Sequence, residues 1–162
     1  MEAVMAEETQ HVVQKYKVAP IMVSLLICGF IGMFNETSLN VVLSDLINQF
    51  QITASTAQWL TTGYLLTLGI LVPVSGLFLQ WFSTRQLFTA SVLLALLGTA
   101  VAAVSPGFEM LMVARVIQAV GVALVLPLMF HTVLVIVPLE KRGTTYGLIG
   151  LVLVVAPAVG PT

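Results

Sequence analysis

Five apolar stretches, each long enough to cross a bilayer, leave this chain few ways to fold. They cover about residues 19–43, 56–79, 86–104, 108–137 and 144–162, with short polar segments between them. At 1.5 Å per residue each is matched to a hydrocarbon core of about 30 Å. Backbone groups in lipid must be paired within the segment, so each stretch is expected to be a helix. Composition agrees. The chain is 59% hydrophobic and only 8% charged, with a mean hydropathy of +1.07, whereas a soluble domain is about 25% charged. The expected class is an all-α integral membrane protein with five transmembrane helices.

The polar segments give an orientation. Residues 1–18 form a polar tail carrying Lys15 and Lys17, Arg85 lies between spans two and three, and Lys141 and Arg142 lie between spans four and five. The alternate connections hold Asp45 and Glu109 and no basic residue. The positive-inside rule then puts the N-terminus in the cytoplasm of a multi-pass cell-membrane protein. The first apolar run exceeds a signal-peptide core and has no small-residue cleavage site, so it is expected to be a retained span. A net charge of −1 points to no nucleic acid, and a single cysteine, Cys28, excludes an intrachain disulfide. Ser44–Ser55 is expected to be a polar connection with a short amphipathic start, Gln80–Arg85 a tight loop, Ser105–Gly107 a turn and Pro138–Gly143 a loop. Trp59 and Tyr64 are expected near a membrane interface, and Pro127 is expected to break the fourth span. Val155–Thr162 has no closing polar or aromatic flank, so the chain reads as the N-terminal piece of a longer protein.

Two charges lie inside the apolar runs, where insertion of an arginine costs about 2.5–3.5 kcal/mol. Counting from Pro20 places Glu36 about 24 Å along span one, and counting from Glu109 places Arg115 about 9 Å into span four from the opposite side. Their depths are similar. A shared polar cavity would lower the cost of both, so Glu36 and Arg115 are candidate coupling residues; the alternative is a static pair that only fixes helix packing. A nearby cation favours an ionised carboxylate and desolvation a protonated one, so a carboxylate balanced between them can take up and release a proton. Asn40, one turn beyond Glu36, and Asn35 and Gln118 are candidate cavity-lining residues, with Thr37 and Ser38 available to bond neighbouring helices. Arg115, Gln118 and Gly121, spaced three apart, are expected on or near one side of their helix.

Small residues mark two further helices. In span five, Gly143, Gly147, Gly150, Pro157, Ala158 and Pro161 share one side, while Ala156 and Gly160 form a small-xxx-small pair on another. Span two carries Gly63, Gly69, Pro73 and Gly76. Both are expected at close helix contacts, static or moving. His131 reads as a packing residue, with a proton-relay role as the alternative. Metal-ligand spacing, a phosphate loop and a nucleophile elbow are all missing, so no catalytic residue, metal or cofactor is expected and the chain is not read as an enzyme.

Four motifs together resemble the N-terminal part of a major facilitator superfamily exporter, of the fourteen-helix drug:proton antiporter family (EmrB/QacA type). N-E-T-S-L-N-V-V-L at Asn35–Leu43 is similar to the first-helix motif D-x-T-x-x-N-V-A-L, with the acid moved to Glu36. G-L-F-L-Q-W-F-S-T-R at Gly76–Arg85 is similar to the gating loop between helices two and three; Gly76 and Arg85 match, while Gln80 and Ser83 replace the usual Asp and Gly. Leu111–Gly121 matches the fourth-helix motif through Arg115, Gln118 and Gly121. Gly147 to Pro161 resembles the fifth-helix antiporter motif, with Ala156 at a usual Gly and the Gly160–Pro161 pair in place. The departures resemble the lincomycin-resistance-type branch.

The resemblance implies an incomplete six-helix N-terminal lobe, residues 19–162. Helices one and four would line the cavity, two and five would meet the other lobe, and three would lie outside. It also implies proton-driven efflux of lipophilic or cationic drugs, with protons, a small lipophilic substrate, the bilayer and the remaining lobe as partners. A facilitator for a small metabolite, or a non-transporting membrane subunit if the chain ends at Thr162, are the alternatives.

Overall fold

A computed structural model describes residues 18–159, and among them every regular element is a helix. The helices are α1 (Val18–Phe50), α2 (Ala54–Trp81), α3 (Thr84–Ala103), α4 (Phe108–Ile136) and α5 (Leu139–Val159). All five are long and apolar enough to cross a membrane. The tail with Lys15 and Lys17, and the pair Gly160 and Pro161, lie outside the described residues.

The connections are shorter than the sequence suggests. α1 has 33 residues, about 50 Å of helix against a hydrocarbon core of about 30 Å. Its polar last turns, expected to be a loop, are therefore helix that outruns the core. The chain turns at Gln51, whose φ is 53°, and Thr53 caps α2 by accepting from the Thr56 amide at 3.2 Å. Gln80 and Arg85 belong to helices, and only Phe82 and Ser83 lie between α2 and α3. Ser83 explains the tightness. Its hydroxyl accepts from the Gln86 amide at 3.4 Å, and its own amide donates to Gln86 Oε1 at 3.1 Å, a closed capping box. Ser83→Ala is expected to cost about 1 kcal/mol of folding stability and Ser83→Gly only a few tenths, read as thermal unfolding of the purified protein.

The α4–α5 connection shrinks in the same way. Pro138 has no amide hydrogen to give the Leu134 carbonyl one turn back. Arg142, in the first turn of α5, supplies the donor instead. Its Nη2 reaches Leu134 O at 2.7 Å and its Nε reaches Val137 O at 3.0 Å. A cation on the last carbonyls of α4 also suits the helix dipole. Pro127 does not break α4, which runs unbroken from Phe108 to Ile136.

α4 is the centre of the bundle. Half of its most apolar window is buried, against 22% or less in each of the other four helices. Its most extensive packing is on α3, then on α2, while α1 packs on both α5 and α4. The main core joins Met22 and Leu25 of α1, Leu87 of α3, Val125, Leu128, Met129 and Val133 of α4 and Ile149 of α5. Large apolar side chains such as Ile27, Ile31, Leu66, Ile70, Leu96 and Leu151 point outward, as a lipid-facing surface requires.

Glycines set the closest approach. A Cβ on Gly98 of α3 would lie 2.8 Å from the Gln118 amide nitrogen and 2.9 Å from Ala114 O. One on Gly121 of α4 would lie 2.7 Å from Ser91 O. These two residues let the backbones of α3 and α4 touch. Of the glycines expected at contacts in α2, only Gly63 meets a neighbour, the flexible end of Met112; Gly69 and Gly76 face open space. In α5, Ala156 and Ile149 are buried, whereas Gly143, Gly147 and Gly150 are exposed with nothing within 4 Å of a Cβ. The two faces of α5 foreseen from the wheel are therefore distinct: one packs in this bundle and the other is uncovered.

Candidate functional site: a buried cation between three helices

Arg115 lies two turns into α4 and is only 2% exposed. α2 brings Tyr64, also 2% exposed, under it, with the guanidinium carbon 4.2 Å from the ring centroid. This is a cation–π contact in a desolvated setting, where such contacts are strongest. Arg115 Nη1 donates to Gln118 Oε1 at 3.2 Å, one turn on, and Gln118 Nε2 donates to Thr99 Oγ1 of α3 at 3.1 Å. A polar chain thus runs from Tyr64 on α2, through Arg115 and Gln118, to Thr99 on α3.

Two of the three guanidinium nitrogens, Nε and Nη2, are buried without a hydrogen-bond partner. Buried cations are ordinarily paired, so this one has unused capacity for an anion or water. Glu36, half-buried on α1, is close enough for its charge to act on both Arg115 and Tyr64. It does not take up the spare donors. Among the described residues, the two therefore form no hydrogen-bonded salt bridge.

The cavity-lining candidates divide between two sides of α1. Asn35 faces a cavity of about 160 Å³ between α1, α2, α3 and α4, which Tyr64, Ser91, Thr99 and Gln118 also line. Asn40 faces α2, where its Oδ1 accepts from the Thr61 hydroxyl at 3.3 Å. Five helical residues separate the two asparagines by about 140°, so one cavity cannot hold both. Thr37 bonds backward to Met33 O and Phe34 O of its own helix, so it does not bridge to a neighbour. Arg115, Gln118 and Gly121 fan out as well. Arg115 faces α2, while Gln118 and Gly121 meet α3.

Tyr64 and Thr99 were not foreseen as site residues. The tyrosine, placed by sequence near a membrane interface, lies in the core, while Trp59 is 54% exposed. The one signal the sequence carries for Tyr64 is its neighbour Gly63, a small residue of the kind that lets helices approach closely. The gating candidates stand apart from this cluster: Arg85 is exposed in the first turn of α3, and Gly76 faces open space. A larger groove of about 450 Å³ between α2, α3 and α4 is lined almost wholly by apolar side chains.

The family model of the Major Facilitator Superfamily matches residues 25–162. The chain belongs to the Major Facilitator Superfamily. Lincomycin resistance protein LmrB of Bacillus subtilis is 61% identical over 156 residues, 96% of this chain and 33% of that protein. The protein of the same name from Listeria monocytogenes is 62% identical over 149 residues, 92% of this chain and 32% of that protein. YhcA of Bacillus subtilis, an uncharacterized MFS-type transporter, is 43% identical over 152 residues, 91% of this chain and 29% of that protein. This superfamily member therefore spans about a third of the length of the curated relatives it matches. No solved structure matches it at a significant level.

Proposed function

We propose that this chain forms part of a proton-coupled exporter of lipophilic or cationic compounds, lincosamide antibiotics included, working by alternating access across the cell membrane. The observation that carries the proposal is the buried Arg115, with two unsatisfied donors, within electrostatic reach of the intramembrane carboxylate of Glu36. Ionisable groups at that depth are costly and mark ion and proton pathways. The resistance proteins named above support export over import. The basic residues Arg85, Lys141 and Arg142 favour a cytoplasmic N-terminus. The uncovered glycine face of α5, with Gly147, suits a second lobe that this one rocks against.

Everted membrane vesicles carrying the intact transporter test this directly. With an acid interior they should accumulate lincomycin or tetraphenylphosphonium, and addition of either compound should release protons. A protonophore should abolish the accumulation. Accumulation that persists after the gradient has collapsed would exclude proton coupling.

A further inference from the structure

Arg115 has one seat in this structure and unused donors for another. Its guanidinium rests on Tyr64 at 4.2 Å and is pinned by Gln118, yet Nε and Nη2 are unpartnered. Both Arg115 and Tyr64 are 2% exposed, so water does not replace the missing partners at the surface. Few other groups compete for the cation. Glu36 on α1 and Tyr64 on α2 act on it, and the other acid of α1, Asp45, is exposed nine residues beyond Glu36. The only charge on α3 is Arg85, in its first turn, and α5 carries Glu140, Lys141 and Arg142 in its first turn and Tyr146 beyond them. All of these lie toward the opposite end of the bundle from Arg115. On α4 itself, Glu109 is exposed in the first turn and His131 lies four turns further on.

From this geometry we infer that Tyr64 is a positioning residue: its ring holds the Arg115 guanidinium away from Glu36, so that one cation has two alternative seats. One seat is the Tyr64 face with Gln118. The other is the Glu36 carboxylate, which the two free nitrogens can bind as a fork. The ring thereby sets how strongly Arg115 acts on Glu36, and so the pH at which the carboxylate changes state. The inference rests on the proton-coupled reading above for its consequence, but not for the contact itself.

The chemistry of the contact dictates the variants. Cation–π attraction needs an aromatic face and not a hydroxyl. Tyr64→Phe keeps the face, and Tyr64→Leu removes it. The probe is tetraphenylphosphonium binding to the purified intact transporter as a function of pH, which does not require turnover. Tyr64→Phe should keep the wild-type midpoint. Tyr64→Leu should move it by about half a pH unit or more. With Arg115→Gln already in place, Tyr64→Leu should move it no further.

Thermal unfolding of the same proteins gives a second cycle that is independent of coupling. Tyr64→Leu should lower the midpoint in the wild-type background by clearly more than it does beside Arg115→Gln. Equal effects of Tyr64→Leu in both backgrounds would show that the tyrosine acts by packing alone and would overturn the inference. So would a Tyr64→Phe protein that behaves like Tyr64→Leu. If wild-type binding is itself independent of pH, the proton-coupled reading fails, while the thermal cycle still decides whether the ring holds the cation.

Discussion

Glu36→Gln is expected to abolish gradient-driven accumulation in everted vesicles, down to the level of vesicles lacking the protein. The substitution keeps the shape and hydrogen-bonding reach of the side chain and removes only its ability to gain and lose a proton. Glu36 is half-buried on α1 and makes no hydrogen bond to Arg115, so the amide should leave the bundle intact. Folding, read by thermal unfolding, should therefore change little. Tetraphenylphosphonium should still bind, but its binding should lose its dependence on pH. Glu36→Asp, which keeps the carboxyl, should retain coupling at a reduced rate. Arg115→Ala, by contrast, should alter the pH dependence of Glu36 protonation without abolishing it, because arginine does not itself deprotonate in proteins. Proton-coupled efflux that survived Glu36→Gln would remove Glu36 from the mechanism.

The sequence discloses the spans because their signal is a sum over many residues. Each helix is announced by about twenty apolar positions, and no single neighbour can reverse that. The ends of the spans are set by a few side chains, and there the sequence says less. Arg142 reaching back to Leu134 O, and Gln86 closing on Ser83, each convert expected loop into helix. Both devices are local and have recognisable spacing, S-x-x-Q in the second case. Depth counting brought Glu36 and Arg115 to one level because rise per residue is nearly constant. Azimuth was harder. Asn35 and Asn40 lie on the same helix but on different sides, and their neighbours, Thr99 and Thr61, come from helices whose placement the sequence does not give. Tyr64 departs from its expected place for a related reason. Aromatic residues in a membrane chain are enriched at interfaces, and only the packing of α2 on α4 reveals that this ring is spent on a cation.

Among the described glycines, Gly121→Ala and Gly98→Ala are expected to be the most destabilising alanine substitutions. In each case the new Cβ would approach backbone atoms, which have nowhere to rotate. From Gly121 it would lie 2.7 Å from Ser91 O and 2.9 Å from Ala95 N, and from Gly98 it would lie 2.8 Å from Gln118 N. Relief requires α3 and α4 to separate. Overpacking of this kind costs about 1–3 kcal/mol, visible as a drop of several degrees in thermal unfolding of the purified protein. Gly69→Ala is the matched control. Its Cβ meets nothing within 4 Å, and alanine improves helix propensity by up to about 1 kcal/mol, so its midpoint should hold or rise. The two damaging changes share one interface, so together they should cost less than their sum. Their effect should also reach the site. Thr99 lies one residue from Gly98, and its bond to Gln118 spans the gap that would widen. Losing that bond frees Gln118, and with it the pin on Arg115 Nη1. The close contact of α3 on α4 thus does more than hold an outer helix: it fixes one side of the seat in which the buried cation rests.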